Sequence, residues 1–443
     1  MVATASQLIS REQAFDWIEM IIAEAASDGV SISIEEKESA LGRFGENQIR
    51  QNLQKNQFEI RITSHFGRRS ASTTTVDQDF EGIVAALRRS EDLARIAPED
   101  PEWVPLLETQ VYADYRAKFD ETTFHYSPLQ RGELIQQVCQ WSEAANIEGS
   151  GILSTSASAY ALGNSAGLRA YDCQTNAEFS YTAKIGNGSS WGSRTGWGLS
   201  ELPIKQIVMT TIQRSTAAQN PRKIEPDTYP VVFSSGAIAN LIPRVMWNMS
   251  ARSADEGRSF FSKDGGDGNR LGEALFNPLV NIYRDPTHPL LQSGAIGSGG
   301  LPGDRLPIIE NGVPKNLSYD RYWASQKGTE PTGSLFPLVM TGSDQTLADL
   351  IAGTERGIFV NRAWYVQGVN SKTLETTGMT RDGTFWIEDG KLAYPIYNLR
   401  FNQSLPDMLK DVEAIATPER HGSSVVPAVK VKNFHFSSIT DSI

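Results

Sequence analysis

Apolar positions along the chain recur at helical spacing in some stretches and alternate at strand spacing in others. Between Ser10 and Gly29, residues Ala14, Trp17, Ile18, Ile21, Ile22 and Ala25 fall on one helical face. Ser10 and Gln13 have the spacing of a capping box before it, and Asp28-Gly29 stops it. VSISIEE at 30–36 then alternates as a strand. Phe58, Ile60 and Ile62 alternate again, and Gly67 turns the chain into SASTTTV. Phe80, Ile83, Val84, Leu87 and Leu93 mark a second helix. The pattern predicts one sheet with two covering helices over about 1–98.

After a turn cluster at 99–105, EDPEWVP, a helix is expected from Ser127-Pro128, with Leu134, Ile135, Val138 and Trp141 on its inner face. Residues 151–185 read as an antiparallel meander, with turns at GNSAG and near Gln174-Thr175-Asn176. A further helix covers about Leu202 to Ala217, completing a second sub-unit over 106–220. NPRKIEPDTYP at 220–230 holds three prolines in eleven residues, which places the main boundary there. Beyond a helix around 236–250, short strand-like runs such as GIFVNRAWYVQGV and AVKVKNFHF alternate with Gly- and Pro-rich turns. The expected class is α+β: an N-terminal α/β sheet-and-helix domain over 1–220, then a β-rich, barrel-like domain over 221–443.

Composition narrows the function. A chain of 443 residues exceeds one ordinary core. A formal charge of −11 and a pI near 5.1 argue against direct nucleic-acid binding. No run approaches the roughly 18–20 apolar residues that span a bilayer, so no membrane role is expected. MVATASQLISREQ lacks a basic region followed by an apolar core, so no secretory signal is expected. The two cysteines, Cys139 and Cys173, lack CxxC spacing and read as free thiols of a reducing, cytoplasmic protein.

The recognisable motifs are weak in their context. Gly163-Asn164-Ser165-Ala166-Gly167 and Gly188-Ser189-Ser190-Trp191-Gly192 both match GxSxG, but a nucleophile elbow needs a strand before its serine and a helix after it. The first match reads as a hairpin turn, the second as a Gly/Ser-rich loop. Lys263 to Asn269 lacks the acidic spacing of a calcium loop and reads as an exposed turn. The histidines, His65, His125, His288, His421 and His435, form no i, i+4 pair and none is followed by Glu, so no helix supplies a zinc-hydrolase site.

YPVVFSSGAIANLIPRVMWNMSA at 229–251 begins as a buried strand and continues as a helix, with Arg244 and Asn248 among apolar residues. Several longer runs resemble one family in order and spacing. They include GENQIRQN, FEIRITSHFGRRS, ALGNSAGLRAYD, SFFSKDGGDGNRLGEALFNPLVNIYRDPTHP, LPIIENGVPKNLSYDRYWASQKGTEPTGS and GVNSKTLETTGMTRDGTFWIEDGKLAYP. That family is TldD/PmbA (TldD/TldE), whose active member is a zinc-dependent peptidase. Aligning Pro230 to Phe233 with the strand before the family's HExxxH helix puts Pro243 at the first histidine, Arg244 at the glutamate and Asn248 at the second histidine. The family's further cysteine ligand also has no counterpart, since no cysteine follows Cys173.

The resemblance therefore implies a PmbA/TldE-like subunit with no catalytic residues and no metal of its own. Zinc would sit in a TldD-like HExxxH partner, and the complex would process unfolded or modified peptides. Trp364 and Tyr365 are the candidate peptide-binding residues, with core packing as their alternative. A stand-alone homodimeric peptide-binding or scaffold protein is the alternative function. An enzyme built around Ser165 or Asp285 is a third reading.

Overall fold

The computed structural model describes residues 7–115, 117–265 and 268–440. The exposed turn expected at 263–269 lies partly outside the described residues, and so does the start of the segment MVATASQLISREQ.

The first half is one six-stranded antiparallel sheet of order β3-β2-β1-β4-β5-β6. Its strands are β1 (Gly29–Gly45), β2 (Gln48–Phe66), β3 (Arg69–Thr75), β4 (Glu148–Asn164), β5 (Arg169–Ile185) and β6 (Gly188–Gly196). β1 and β2 run well past the alternating apolar residues at 30–36 and 58–62. Glu46 and Asn47 both take positive φ, 53° and 58°, so a tight turn sets the register and pairing continues without burial. Residues 48–57 of β2 are exposed accordingly. β1 pairs with β4 from Ser31↔Asn164 to Phe44↔Gly151, so residues before 98 and after 106 share one sheet.

Helices α1 (Arg11–Glu24), α2 (Phe80–Ile96), a single turn α3 (Glu121–Phe124), α4 (Pro128–Ala144) and α5 (Ile204–Ala217) complete this half. The Ser10 hydroxyl accepts from the Gln13 amide at 3.1 Å, and Ser127 with Gln130 forms a reciprocal capping box on α4. Leu153, Ala157, Ala159 and Ala161 of β4 are all buried, so one face of the sheet receives the helices. α1 and α2 pack over Ile32, Ile34, Ile60 and Ile62, while α4 and α5 pack over Phe44, Phe179 and Tyr181.

Two local expectations need correction. β5 runs through Gln174-Thr175-Asn176 without a turn. Their polarity serves cross-chain bonds instead: buried Thr175 donates to the Trp197 carbonyl at 2.7 Å, and Asn176 accepts from Arg420 at 3.2 Å. The second GxSxG match is not a loop, because Gly188 to Gly192 opens β6. The first, as expected, is the turn between β4 and β5.

The second half is an eleven-stranded sheet. Its strands are β7 (Thr228–Phe233), β8 (Ile282–Arg284), β9 (Leu306–Glu310), β10 (Val313–Pro314), β11 (Leu338–Met340), β12 (Arg356–Asn370), β13 (Glu375–Glu388), β14 (Lys391–Pro395), β15 (Leu399–Ser404), β16 (Val412–His421) and β17 (Ser424–Ile439). β7 pairs with both β12 and β17, so β7-β12-β13-β15-β17 closes on itself. The barrel-like expectation holds for this ring only; β11, β8, β9 and β10 extend from β17 as an open wing. Helix α6 (Ser235–Trp247) follows β7 and buries Ile238, Leu241, Ile242, Val245 and Met246 in the main core.

Phe434 of β17 anchors that core, with the rings of Phe233, Phe401 and Phe436 at 4.9, 5.3 and 5.3 Å. Phe434→Ala should cost about 3–5 kcal/mol in denaturant unfolding. A loss under about 1 kcal/mol would mean that the ring of strands closes over the gap.

Candidate functional site

The two ends of α6 carry different chemistry. At its carboxyl end stand the three positions singled out by the resemblance. Pro243 is buried inside the helix, where it removes an N–H from the backbone ladder. Arg244 donates through Nη2 to the Val366 carbonyl and lies 5.2 Å from the centre of the Trp247 ring. Asn248 is the C-cap; its Nδ2 donates to the Arg244 carbonyl at 2.8 Å, and its own carbonyl accepts from Ser259 at 2.8 Å. Proline has no ligating side-chain atom, the guanidinium is a permanent cation, and the Asn248 amide is engaged in capping. These residues do not fit a zinc ion. Among the described residues no group of three or more His, Cys, Asp or Glu could hold one.

Trp364 and Tyr365 stand beside this end, because Val366, which receives Arg244, is the next residue of β12. Both are exposed, Trp364 at 37% and Tyr365 at 67%, so core packing does not explain them. Tyr365 takes φ 52° at a bulge between Trp364 and Gln367, which turns two consecutive side chains outward. Arg362 and Arg381 lie over the Trp364 ring at 4.1 and 5.3 Å. Trp247 and Val369 are also exposed.

At the amino end lies a cavity of about 480 Å³ between the two halves. Ser235 and Gly236 of α6, Arg194 of β6, Arg214 of α5, and Glu419 and His421 of β16 all line it. The Ser235 hydroxyl donates to Glu419 Oε2 and lies 3.1 Å from His421 Nε2. Arg194 Nη2 donates to Glu419 Oε1 at 2.7 Å. Burial by itself would raise the Glu419 pKa. The His421 ring, 3.9 Å away, and hydrogen bonds from Arg194 and Ser235 outweigh it and hold the carboxyl well below the usual glutamate range. Such a carboxylate is a poor base towards Ser235, and it touches the serine directly rather than through the histidine. The three side chains therefore do not form the serine-to-histidine-to-acid relay of a hydrolase triad.

The sequence did not single out Arg194, Arg214, Ser235 or Glu419, and His421 was read only as a lone histidine. Each lies on a different stretch of chain, and no local spacing marks them. The remaining candidates have structural partners. Ser165 Oγ accepts from the Val30 amide at 3.1 Å, and Asp285 accepts from Thr287 within a turn.

Comparisons with known proteins fit this architecture. The profile of the PmbA/TldA metallopeptidase C-terminal domain matches residues 226–438. That match places the second half of the chain with the TldD/PmbA family. It is 23% identical to metalloprotease PmbA of Escherichia coli O157:H7 over 439 residues, covering 93% of each chain. Its fold is similar to TldE from Thermococcus kodakarensis, with TM-score 0.85 and 19% identity over 96% of this chain and all of that one. A Thermotoga maritima protein described as a putative modulator of a DNA gyrase has TM-score 0.81 and 18% identity, over 96% of this chain and 100% of that one.

The depressed pKa of Glu419 has a signed consequence. Its stabilising contribution is present above the unfolded-state glutamate pKa, near ~4.3, and is lost as pH falls through the lower folded value. Glu419→Gln should therefore flatten the loss of stability on acidification below about pH 5, read by thermal unfolding across pH. Parallel curves for the variant and the parent chain would contradict the assignment.

Proposed function

We propose that this TldD/PmbA-family chain is a metal-free, TldE/PmbA-like subunit of a TldD/TldE-type metalloprotease complex that acts on unfolded or modified peptides. The observation that carries the reading is the carboxyl end of α6. All three motif positions hold residues unable to bind zinc or activate water, and Arg244 and Asn248 are engaged in packing and capping bonds. Zinc and the general base belong to an HExxxH partner. The printed names of the relatives, metalloprotease PmbA and TldE, supply the peptidase context. Cys139 and Cys173 are in no disulfide among the described residues, in keeping with a reducing, cytoplasmic setting.

The exposed Trp364 and Tyr365, at the end of α6 where the motif positions lie, form the peptide- or partner-contacting face in this reading. The second reading, a homodimeric peptide-binding protein without a proteolytic partner, uses the same face.

A tagged chain purified from its native cell should bring down a stoichiometric HExxxH relative carrying about one zinc ion, the usual load of such a site. The isolated chain should show no metal-dependent peptide hydrolysis. Hydrolysis by the isolated chain would overturn the proposal, while self-association without a partner would favour the homodimer. In the complex, Trp364→Ala with Tyr365→Ala should weaken peptide or partner binding by roughly tenfold or more, the size expected for exposed aromatic anchors. Unchanged binding would remove this face from the proposal.

A further inference from the structure

The cavity at the amino end of α6 has an unbalanced charge. Its charged lining residues are Arg194, Arg214 and Glu419, with His421 beside them, so two guanidiniums face one carboxylate. Glu419 is already taken up by Arg194, Ser235 and His421. Arg214 makes no ion pair within 4.0 Å among the described residues. It donates through Nη1 to Asn361 Oδ1 at 3.2 Å and lies over the Phe359 ring at 5.6 Å, both uncharged. Burial pulls its pKa down from the ordinary guanidinium value, against the charge of Glu419. Arg194 adds a second open valence, because its Nη1 is buried and takes no hydrogen bond. A partly buried guanidinium without a counter-ion is costly unless an anion completes it.

The surroundings select the kind of anion. Ser235 and Gly236 are the first two residues of α6, whose leading N–H groups have no acceptor within the helix. Guanidinium presents a planar pair of donors that matches a carboxylate. A phosphate dianion would meet the fixed negative charge of Glu419, whereas a monoanion leaves the lining neutral. Trp191, Ile207, Leu347, Pro418 and Ala428 supply apolar wall for an attached organic group.

We propose that this cavity is a carboxylate-binding site, in which Arg214 and the free edge of Arg194 hold the anionic end of a small organic acid or of a peptide's C-terminus. The site is separate from the vacated motif. Ser235 and Pro243 are eight residues apart, about 12 Å along a helix that rises ~1.5 Å per residue. A peptide as natural ligand rests on the peptide-handling role proposed above; the carboxylate chemistry does not.

The test is calorimetric titration of the isolated full chain, which needs neither a partner nor hydrolysis. A failed pull-down therefore leaves it unaffected. The probes are N-acetyl-trialanine with a free C-terminus, the same tripeptide as its C-terminal amide, and propionate. The free acid or propionate should bind, and the amide should bind at least about tenfold more weakly than the free acid, since a charge-assisted pair is lost. Tripeptide binding without propionate binding identifies a peptide end as the source; propionate binding extends the site to small acids. Arg214→Gln should weaken binding by about tenfold or more, and Glu419→Gln should tighten it several-fold by removing the repelling charge. Equal binding of acid and amide, or no binding of either acid, would overturn the proposal on the unaltered chain, whatever the folding of the variants. An Arg214→Gln chain that folds and binds normally would do the same.

Discussion

The side-chain amide of Asn361 joins the two halves of the molecule. Asn361 is 3% exposed and falls out of the β12–β13 ladder at the irregularity between Val360 and Arg362. Its Nδ2 donates to the Trp191 carbonyl of β6 and to the Asp382 carbonyl of β13, each at 2.8 Å. Its Oδ1 accepts from Arg214 of α5 at 3.2 Å. Its backbone carbonyl accepts from Ser234, the N-cap of α6, at 2.6 Å. Both amide donors and the amide acceptor are used, so the group adds no buried unsatisfied atom. One residue thus fixes the first sheet, the strand ring, the Arg214 helix and the start of α6 relative to one another. In a low-dielectric setting such a network is strong only when complete, and this one is complete.

That constraint explains why the two ends of α6 differ. Its amino end is pinned at the junction of the halves, where charged residues from β6, α5 and β16 converge. Its carboxyl end lies beside the outer part of β12, where Arg244 ties the helix to Val366 and two aromatic side chains turn out to solvent. The amphipathic core face between the ends, from Ile238 to Met246, has to be apolar in any version of the fold. That face packs the same way whatever residues stand at positions 244 and 248.

The elements that were legible in the sequence are those with a local signature. The capped helices beginning at Arg11 and Pro128 announce themselves through Ser10 and Ser127, and α6 through its apolar period. The long β1–β2 hairpin was underread because residues 48–57 are polar and exposed, and their pairing follows from the turn rather than from burial. Gln174-Thr175-Asn176 looked like a turn because its polar side chains satisfy partners far away in sequence. Positions 243, 244 and 248 could be compared with the family's motif because they lie on one short run of sequence. Arg194, Arg214, Glu419 and His421 could not, since only the assembled tertiary structure brings them to one cavity.

The composition of that cavity also limits what either half can do alone. Arg194 and Arg214 come from the first half, and Ser235, Glu419 and His421 from the second. Without the first half, Glu419 would lose its guanidinium partner and keep only Ser235 and His421. Without the second, Arg194 would lose Glu419 and Arg214 would lose the Asn361 amide oxygen. The profile match over 226–438 covers only the second half of this arrangement. A charged site spread over both halves rewards keeping them rigidly joined, and the Asn361 network supplies that rigidity. Function at this junction therefore depends on the relative placement of two sheets, a property that neither the family's metal motif nor any single stretch of sequence records.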